Sequence, residues 1–473
     1  MPLPLSRTLP NDGLLRYFWF LNSERIVLTS HKALAEVLVH NSYAFRKPNS
    51  VTEALGRVVG FGVLLAEGDD HKRQRRNLNP AFAFRHIKDL YPLFWDKSCE
   101  LVAAMTAECA GPGRVGVLEI GEWSSRATLD IIGVAALGRD FRAIQDKDNE
   151  LARAYDTLFK PDAVGRVLAV LGTMIPQSLI FALPLQRNRE VASATRWVRE
   201  LCRDLVREKK QRLATKDHER DVDILSVALE SGQFSDDNLV DQLMTFLAAG
   251  HETTTRAVTW AIYLLCLHPA VQERLRAEVR ANLPSTSALA SEPANEGRSS
   301  RAVTSVDIDR LPYLAAVCSE TLRCYTPIPV TVREAAHDTT IQGVSIPKGT
   351  RVMLVPHAIN TDTAGWGERA EQFDPERWLA RDDAGAEERQ RAASGGAASN
   401  YAFLTFLHGP RSCIGSGFAR AEMACLVAAL VGRFSFELVD KELMDESKME
   451  IRMEVTARPA RGLTVQLRVL DDY

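Results

Sequence analysis

From Ser235 to His268 the chain stays compatible with a single helix, and this is the feature that most limits what it can fold into. Ser235-Asp236-Asp237 is a strong N-cap, and no breaker follows until His268 meets Pro269. About 33 residues at 1.5 Å each make roughly 50 Å, enough to cross a whole domain. Such a helix predicts a central beam with a mainly helical fold around it. In its middle stands Ala249-Gly250-His251-Glu252-Thr253-Thr254, polar and glycine-bearing where the flanks are apolar. Those residues weaken a helix locally, which marks a candidate site. His251-Glu252 opens like a zinc-protease motif, but Thr255 stands where the second histidine is required, so that reading fails.

A second stretch carries a different chemistry: Phe406-Leu407-His408-Gly409-Pro410-Arg411-Ser412-Cys413-Ile414-Gly415. Arg411 and the N-terminus of a helix beginning near Ser416 both favour an ionised sulfur at Cys413. Gly409 and Gly415 let backbone come close to whatever the sulfur holds. A lone cysteine is more often a small buried hydrophobe, and Cys425, in the apolar run that follows, reads that way. Gly415-Ser416-Gly417 also begins a dinucleotide fingerprint, but Arg420 replaces its third glycine and no strand leads directly into it.

Cys413 stands apart because its neighbours fill a complete pattern, Phe-x-x-Gly-x-Arg-x-Cys-x-Gly-x-x-x-Ala, with Phe406, Gly409, Arg411, Cys413, Gly415 and Ala419. This resembles the haem-binding signature of the cytochrome P450 family. The resemblance implies that the Cys413 thiolate is the axial iron ligand of a b-type haem, with Phe406 and Arg411 on the cofactor side of the site. The central motif is similar to the family's Ala/Gly-Gly-x-Asp/Glu-Thr. It implies that Gly250 leaves a groove for dioxygen, that Thr253 hydrogen-bonds the oxygen and that Glu252 relays protons from solvent. A threonine bonding back within its own helix is the plainer alternative.

Three further matches lie in family order. His71 and Arg75, four apart on a basic helix that opens at Gly68, correspond to the family's pair of propionate donors. Lys72, Arg73 and Arg76 beside them read as a solvated face that could meet an acidic redox partner. Glu320 and Arg323 are spaced for an ion pair that on an exposed helix would be worth about 0.2–0.5 kcal/mol, and by chemistry alone they are surface decoration. The resemblance instead places them with Arg377, from Phe373-Asp374-Pro375-Glu376-Arg377-Trp378, in a buried network behind the cysteine loop. It also runs Pro327 to Arg333 past the distal pocket, with Ile328 and Val330 as substrate contacts and Arg333 toward a propionate.

Length, at 473 residues, would allow roughly three domains, but the motifs must meet at one cofactor, which predicts a single domain over 1–473. Net charge is −3, so nothing global points to nucleic acid. Eight scattered cysteines without a CxxC pair read as thiols in a reducing compartment, not a disulfide framework. Leu14 to Leu21 and Ile26 to Leu28 predict a hairpin, followed by a helix with Ala33, Leu34, Val37 and Leu38 on one face. Residues 98–230 read as a string of helices, and Glu208 to Asp221 as a solvated helix end and loop. Stretches 283–305 and 381–400 read as surface loops. Val344 to Met353 reads as two strands around Pro347-Lys348-Gly349, Ser416 to Leu430 as a helix on the central beam, and the tail to Leu467 as hairpins.

The fold class expected is therefore mainly α with small β-sheets. The resemblance implies a monooxygenase that inserts one atom of O2 into a small apolar substrate by hydroxylation or epoxidation, in secondary or lipid metabolism of a fungal type. No flavin or iron–sulfur motif is evident, so electrons would come from NADPH–cytochrome P450 reductase. Val167 to Leu185 is apolar but broken by Gly172, Pro176 and Pro184, a peripheral membrane contact and not a span. The family implies the endoplasmic reticulum membrane. Residues 1–13 hold no anchor, which leaves the cytoplasm as the other expectation. Two alternatives remain open: a haem-thiolate isomerase or dehydratase that needs no reductase, and a non-catalytic haem protein.

Overall fold

A computed structural model describes residues 11–19, 22–109, 111–172, 175–214, 223–286, 302–380, 384–471 and 473. Six of its helices are α1 (Gly68–Leu78), α2 (Ile120–Leu137), α3 (Asp236–Leu267), α4 (Pro269–Asn282), α5 (Pro312–Cys324) and α6 (Ser416–Arg433). The strands are β1 (Leu14–Phe18), β2 (Glu24–Leu28), β3 (Phe45–Arg46), β4 (Val115–Glu119), β5 (Thr331–Ala335), β6 (Thr339–Ile341), β7 (Val344–Ile346), β8 (Arg351–Leu354), β9 (Phe434–Leu438), β10 (Ile451–Met453), β11 (Ala457–Pro459) and β12 (Thr464–Val469). The class is mainly α with small sheets, as expected. The residues form two compact units, one of residues up to Arg46, Phe94–Ser124 and Thr253–Tyr473, the other of Lys47–Leu93 and Ser125–Glu252.

The first unit holds the sheets. β1 and β2 form the predicted antiparallel hairpin, Leu14 opposite Leu28, and open a five-stranded sheet in the order β1-β2-β8-β5-β3. Ala33, Leu34, Val37 and Leu38 are buried against it with Phe45, Val352 and Leu354. The strands around Pro347-Lys348-Gly349 both exist but do not pair with each other: β7 pairs with β6, and β8 with β2 and β5. Only β10 and β11 make a hairpin in the tail. β12 lies between β4 and β9 and pairs antiparallel with both, its backbone bonded on both edges while Val465, Leu467 and Val469 are buried on one face.

α6 is buried along almost its whole length from Ala421, and its main neighbours are α4 and α5 rather than the long helix. Arg276 of α4 fastens that contact, its Nε donating to the Val431 carbonyl at 3.1 Å and its Nη2 to Phe434 at 3.0 Å. The stretch 381–400, read as a loop, contains a helix, Ala386–Ala393; residues 381–383 lie outside the described residues. Most of 283–305 also lies outside them, and the chain re-enters at a capping box, Thr304 with Asp307, that starts helix Ser305–Asp309.

In the second unit α1 packs on the first half of α3 through buried amides. Gln242 Nε2 donates to Gln74 Oε1 at 2.7 Å, while Gln242 Oε1 accepts from the Val63 amide at 2.9 Å. Helix Gln186–Ala214 runs through the start of the charge-dense stretch. There Lys209 is buried in an ion pair with Asp223 instead of solvated, while 215–222 lie outside the described residues.

Candidate active site

The cysteine loop is built by close backbone packing. Leu407 takes a positive φ of 55° and Gly409 one of 77°. A Cβ on Gly409 would come within 2.1 Å of the Leu38 carbonyl oxygen, so no other residue fits that contact. The Cys413 amide donates to the Phe406 carbonyl at 2.9 Å and closes the turn. Arg411 is buried, its Nη1 donating to the Phe45 carbonyl at 2.8 Å, which ties the loop to β3. Gly415 caps α6 without a side-chain hydrogen bond, so the first-turn amides three residues beyond the sulfur are not neutralised from within.

Cysteine burial separates one thiol from the rest. Seven of the eight are buried and Cys413 alone is exposed. Desolvation pushes the thiols of Cys202, Cys266, Cys318 and Cys324 up to about 12, and that of Cys425 well above its ordinary value. Such thiols are inert at neutral pH. Cys425 is thus the core hydrophobe expected, and Cys413 is the accessible sulfur on a fixed loop.

The scaffold behind that loop is a single carboxylate with five donors. Glu320 and Arg323 are both fully buried. Glu320 accepts from Arg323 Nη2 and Nε at 2.8 Å, and from the Asp374 amide, Arg377 Nε and Trp378 Nε1 at 2.9 Å. Burial works against the Arg323 charge, but hydrogen bonding to Glu320 and its negative charge outweigh this and raise the guanidinium pKa. The surface reading of this pair is therefore overturned, and the network expected from the resemblance stands. Asn360 carries it onward: its Oδ1 accepts from the Leu404 amide at 2.7 Å and its Nδ2 donates to Thr405 Oγ1 at 2.7 Å, just before Phe406. No motif flagged Asn360; only its burial beside Arg323, whose Nη1 donates to its carbonyl at 2.7 Å, reveals it.

Along α3, residues 251–265 are buried except Thr253, and Thr253 shares its half-open face with Ala249 and Gly250. Glu252 is buried. A Cβ on Gly250 would meet Ile132 Cδ1 of α2 at 2.7 Å, so this glycine serves close helix packing, a reason the groove reading did not include. His251 is a core histidine. Its Nε2 lies 2.7 Å from Ser125 Oγ and its ring sits edge-on to Tyr155. Among the described residues no three His, Cys, Asp or Glu side chains come together to hold a metal.

His71 is buried on the inner face of α1 with Gln74 and Leu78, while Arg75 is half-buried with its Nε donating to Asn79 Oδ1 at 3.0 Å. Lys72, Arg73 and Arg76 are exposed, as expected. In the other unit Arg333 is buried and donates through Nη1 to the Val332 carbonyl at 2.9 Å, Ile328 is exposed, and Val330 is half-buried. Phe406 is half-buried with the Arg420 guanidinium 5.0 Å from its ring.

A family model described as Cytochrome P450 matches residues 13–462. The chain belongs to the cytochrome P450 family. It is similar to Cytochrome P450 monooxygenase sphH of Aspergillus fumigatus, 44% identical over 99% of this chain and 83% of the relative. It is also similar to Cytochrome P450 monooxygenase FUM15 of Gibberella moniliformis, 44% identical over 96% and 81%, and to buaD of Petromyces alliaceus, 43% identical over 98% and 83%. It is accordingly an enzyme of the P450 monooxygenase class, for which the family implies a haem-thiolate centre, a redox partner, O2 and an organic substrate. The cysteine loop fits a P450 haem: one accessible sulfur, held by backbone packing and set beside uncapped helix amides, is the donor such an iron requires.

Proposed function

We propose that the chain is a haem b monooxygenase that hydroxylates or epoxidises a small apolar organic substrate, with electrons from NADPH–cytochrome P450 reductase. The observation that carries this is Cys413, the single exposed thiol, on a loop whose conformation is set by contacts at Leu38 and Phe45. When bound, the haem supplies dioxygen activation, which a thiolate ligand favours. All motifs serve that one cofactor, so residues 1–473 act as one functional domain.

The chain's own residues do the rest. Cys413 holds the iron, and Arg411 together with the α6 amides keeps the sulfur ionised. His71, Arg75 and Arg333 receive the propionates, and Phe406 lies against the cofactor. Gly250 keeps the α3 face low, Thr253 holds a proton at its Oγ1 on that face, and Glu252 passes protons to it from solvent. Ile328 and Val330 meet the substrate, whose apolar character follows from theirs.

The named relatives come from fungi, which supports a place in fungal secondary or lipid metabolism. Among the described residues no helix is long and apolar enough to cross a membrane. Within 167–185, Val167, Val170, Leu179 and Leu183 are exposed on and beside two short helices, Ala163–Leu171 and Gln177–Ala182, a surface suited to peripheral contact with the endoplasmic reticulum membrane. The test is reconstitution with reductase and NADPH against a panel of apolar substrates. A product heavier by one oxygen, labelled from 18O2 and lost with Cys413→Ala, is the expected result; turnover without oxygen incorporation would overturn the proposal.

A further inference from the structure

One guanidinium in the second unit stands outside every role assigned above. Arg57 lies in the last turn of helix Asn49–Val59, half-buried, with its Cζ 3.8 Å from the centre of the Phe181 ring of helix Gln177–Ala182. Among the described residues no acid pairs with it and no acceptor takes its N–H groups; burial alone shifts its pKa, downward. A cation in the last turn suits the helix dipole, but that interaction needs no desolvation. Glu53, four residues earlier, is spaced for the favourable i,i+4 ion pair, yet the Arg57 side chain forgoes it for the ring. A ring against a guanidinium covers one of its faces and leaves the five N–H donors, which lie in its plane, open to a ligand.

The next residues along the chain are apolar. The exposed Phe61 folds its ring back over Gly56, beside Arg57, where a Cβ would come within 2.4 Å of the ring. The segment carrying Phe61 and the exposed Leu64 is tied to α3: Thr245 Oγ1 donates to the Val59 carbonyl at 2.8 Å, and the Gln242 side chain holds the Val63 amide. Gln242 lies two turns before Ala249 on one face of α3, about 10 Å along the axis from the half-open stretch at Ala249 and Gly250. We propose that Arg57 is a specificity-determining residue: it takes the carboxylate of an amphipathic acid whose apolar body runs along Phe61 toward that face. A carboxylate meets the open edge of a guanidinium through two parallel hydrogen bonds, and the aromatic ring holds the guanidinium in place. The substrate class narrows from apolar compounds to apolar acids, which deepens the monooxygenase reading and rests on it.

The test measures binding, by equilibrium dialysis of substrate-free holoenzyme at neutral pH. Dodecanoate, dodecanol and dodecyltrimethylammonium share one apolar chain and differ in head-group charge. Wild type is expected to bind dodecanoate about tenfold tighter than dodecanol, the scale of a hydrogen-bonded charge pair, and the cation most weakly. Arg57→Gln should bring dodecanoate to the level of dodecanol and leave dodecanol unchanged. Arg57→Lys should keep part of the preference, having the charge but not the planar fork. Phe61→Ser should weaken all three alike. The carbon monoxide band of the reduced haem checks that each variant folds, and should Arg57→Gln fail to fold, the partial loss in Arg57→Lys decides. Equal binding of acid and alcohol by wild type, no binding of either, or a preference that survives in Arg57→Gln would overturn the proposal. So would Arg57→Gln losing affinity for phosphatidylglycerol vesicles while keeping the dodecanoate preference, which would assign the residue to a lipid head group. Dialysis reads binding whether or not oxygen is transferred, so failure of the monooxygenase reading under 18O2 and failure of this one are seen separately.

Discussion

The Glu422 carboxyl of α6 is fully buried, and this makes stability depend on pH. Its ordinary pKa is 4.5 and burial raises it well above that in the folded protein. Above pH 4.5 the unfolded chain therefore releases this proton while the folded chain keeps it, so stability falls as pH rises. The slope for one such group is about 1.4 kcal/mol per pH unit. Glu422→Gln carries no such proton. Denaturant unfolding at several pH values is expected to show the variant gaining on wild type from pH 5 to pH 8, with the difference vanishing toward pH 4.5. Gly409 predicts the opposite outcome: any side chain meets the Leu38 carbonyl and forces a positive φ. Gly409→Ala should cost about 1–3 kcal/mol and lower the haem content of purified protein.

Among the elements, α5 and the segment 374–378 share one carboxylate, and removing it leaves Arg323 charged, buried and without its main acceptor. Glu320→Ala is expected to destabilise by about 3–5 kcal/mol, measured by chemical unfolding, with no specific effect on proton delivery. The Glu-x-x-Arg spacing could not show this on its own, because an i,i+3 pair looks the same at a surface and in a core. What decides is the set of donors brought by Asp374, Arg377 and Trp378, more than fifty residues away in sequence. The long helix was legible because a cap, an unbroken pattern and a proline stop mark its ends, and the hairpin of β1 and β2 because two apolar runs flank Asn22-Ser23, although Glu24 and Arg25, expected in the turn, open β2 and the first strand ends at Phe18. Helix Ala386–Ala393 was missed, since its Ala- and charge-rich composition is shared by loops. The partners of β12 were missed because strand pairing is not written in local pattern. The glycines of the cysteine loop and the helix after it were legible in the sequence, whereas the links of Asn360 and the Ile132 contact of Gly250 are visible only in the packing. The apolar helices of 163–182 give a further test. Replacing Val167, Val170 and Leu179 with serine should weaken co-sedimentation with phospholipid vesicles and leave the haem spectrum unchanged.

For the molecule as a whole, Cys413 is the exposed thiol proposed to meet the cofactor, and the seven other cysteines are withdrawn into the core. Removing the haem should therefore expose a single thiol to a disulfide reagent under native conditions, and denaturation the remaining seven. The central claim is the iron–sulfur bond itself, and the direct test is the difference spectrum of the dithionite-reduced holoenzyme with and without carbon monoxide, for wild type and Cys413→Ala. A strongly red-shifted Soret band in wild type that disappears in the variant is the predicted result. A band at the position typical of histidine ligation, or one that survives in Cys413→Ala, would contradict it.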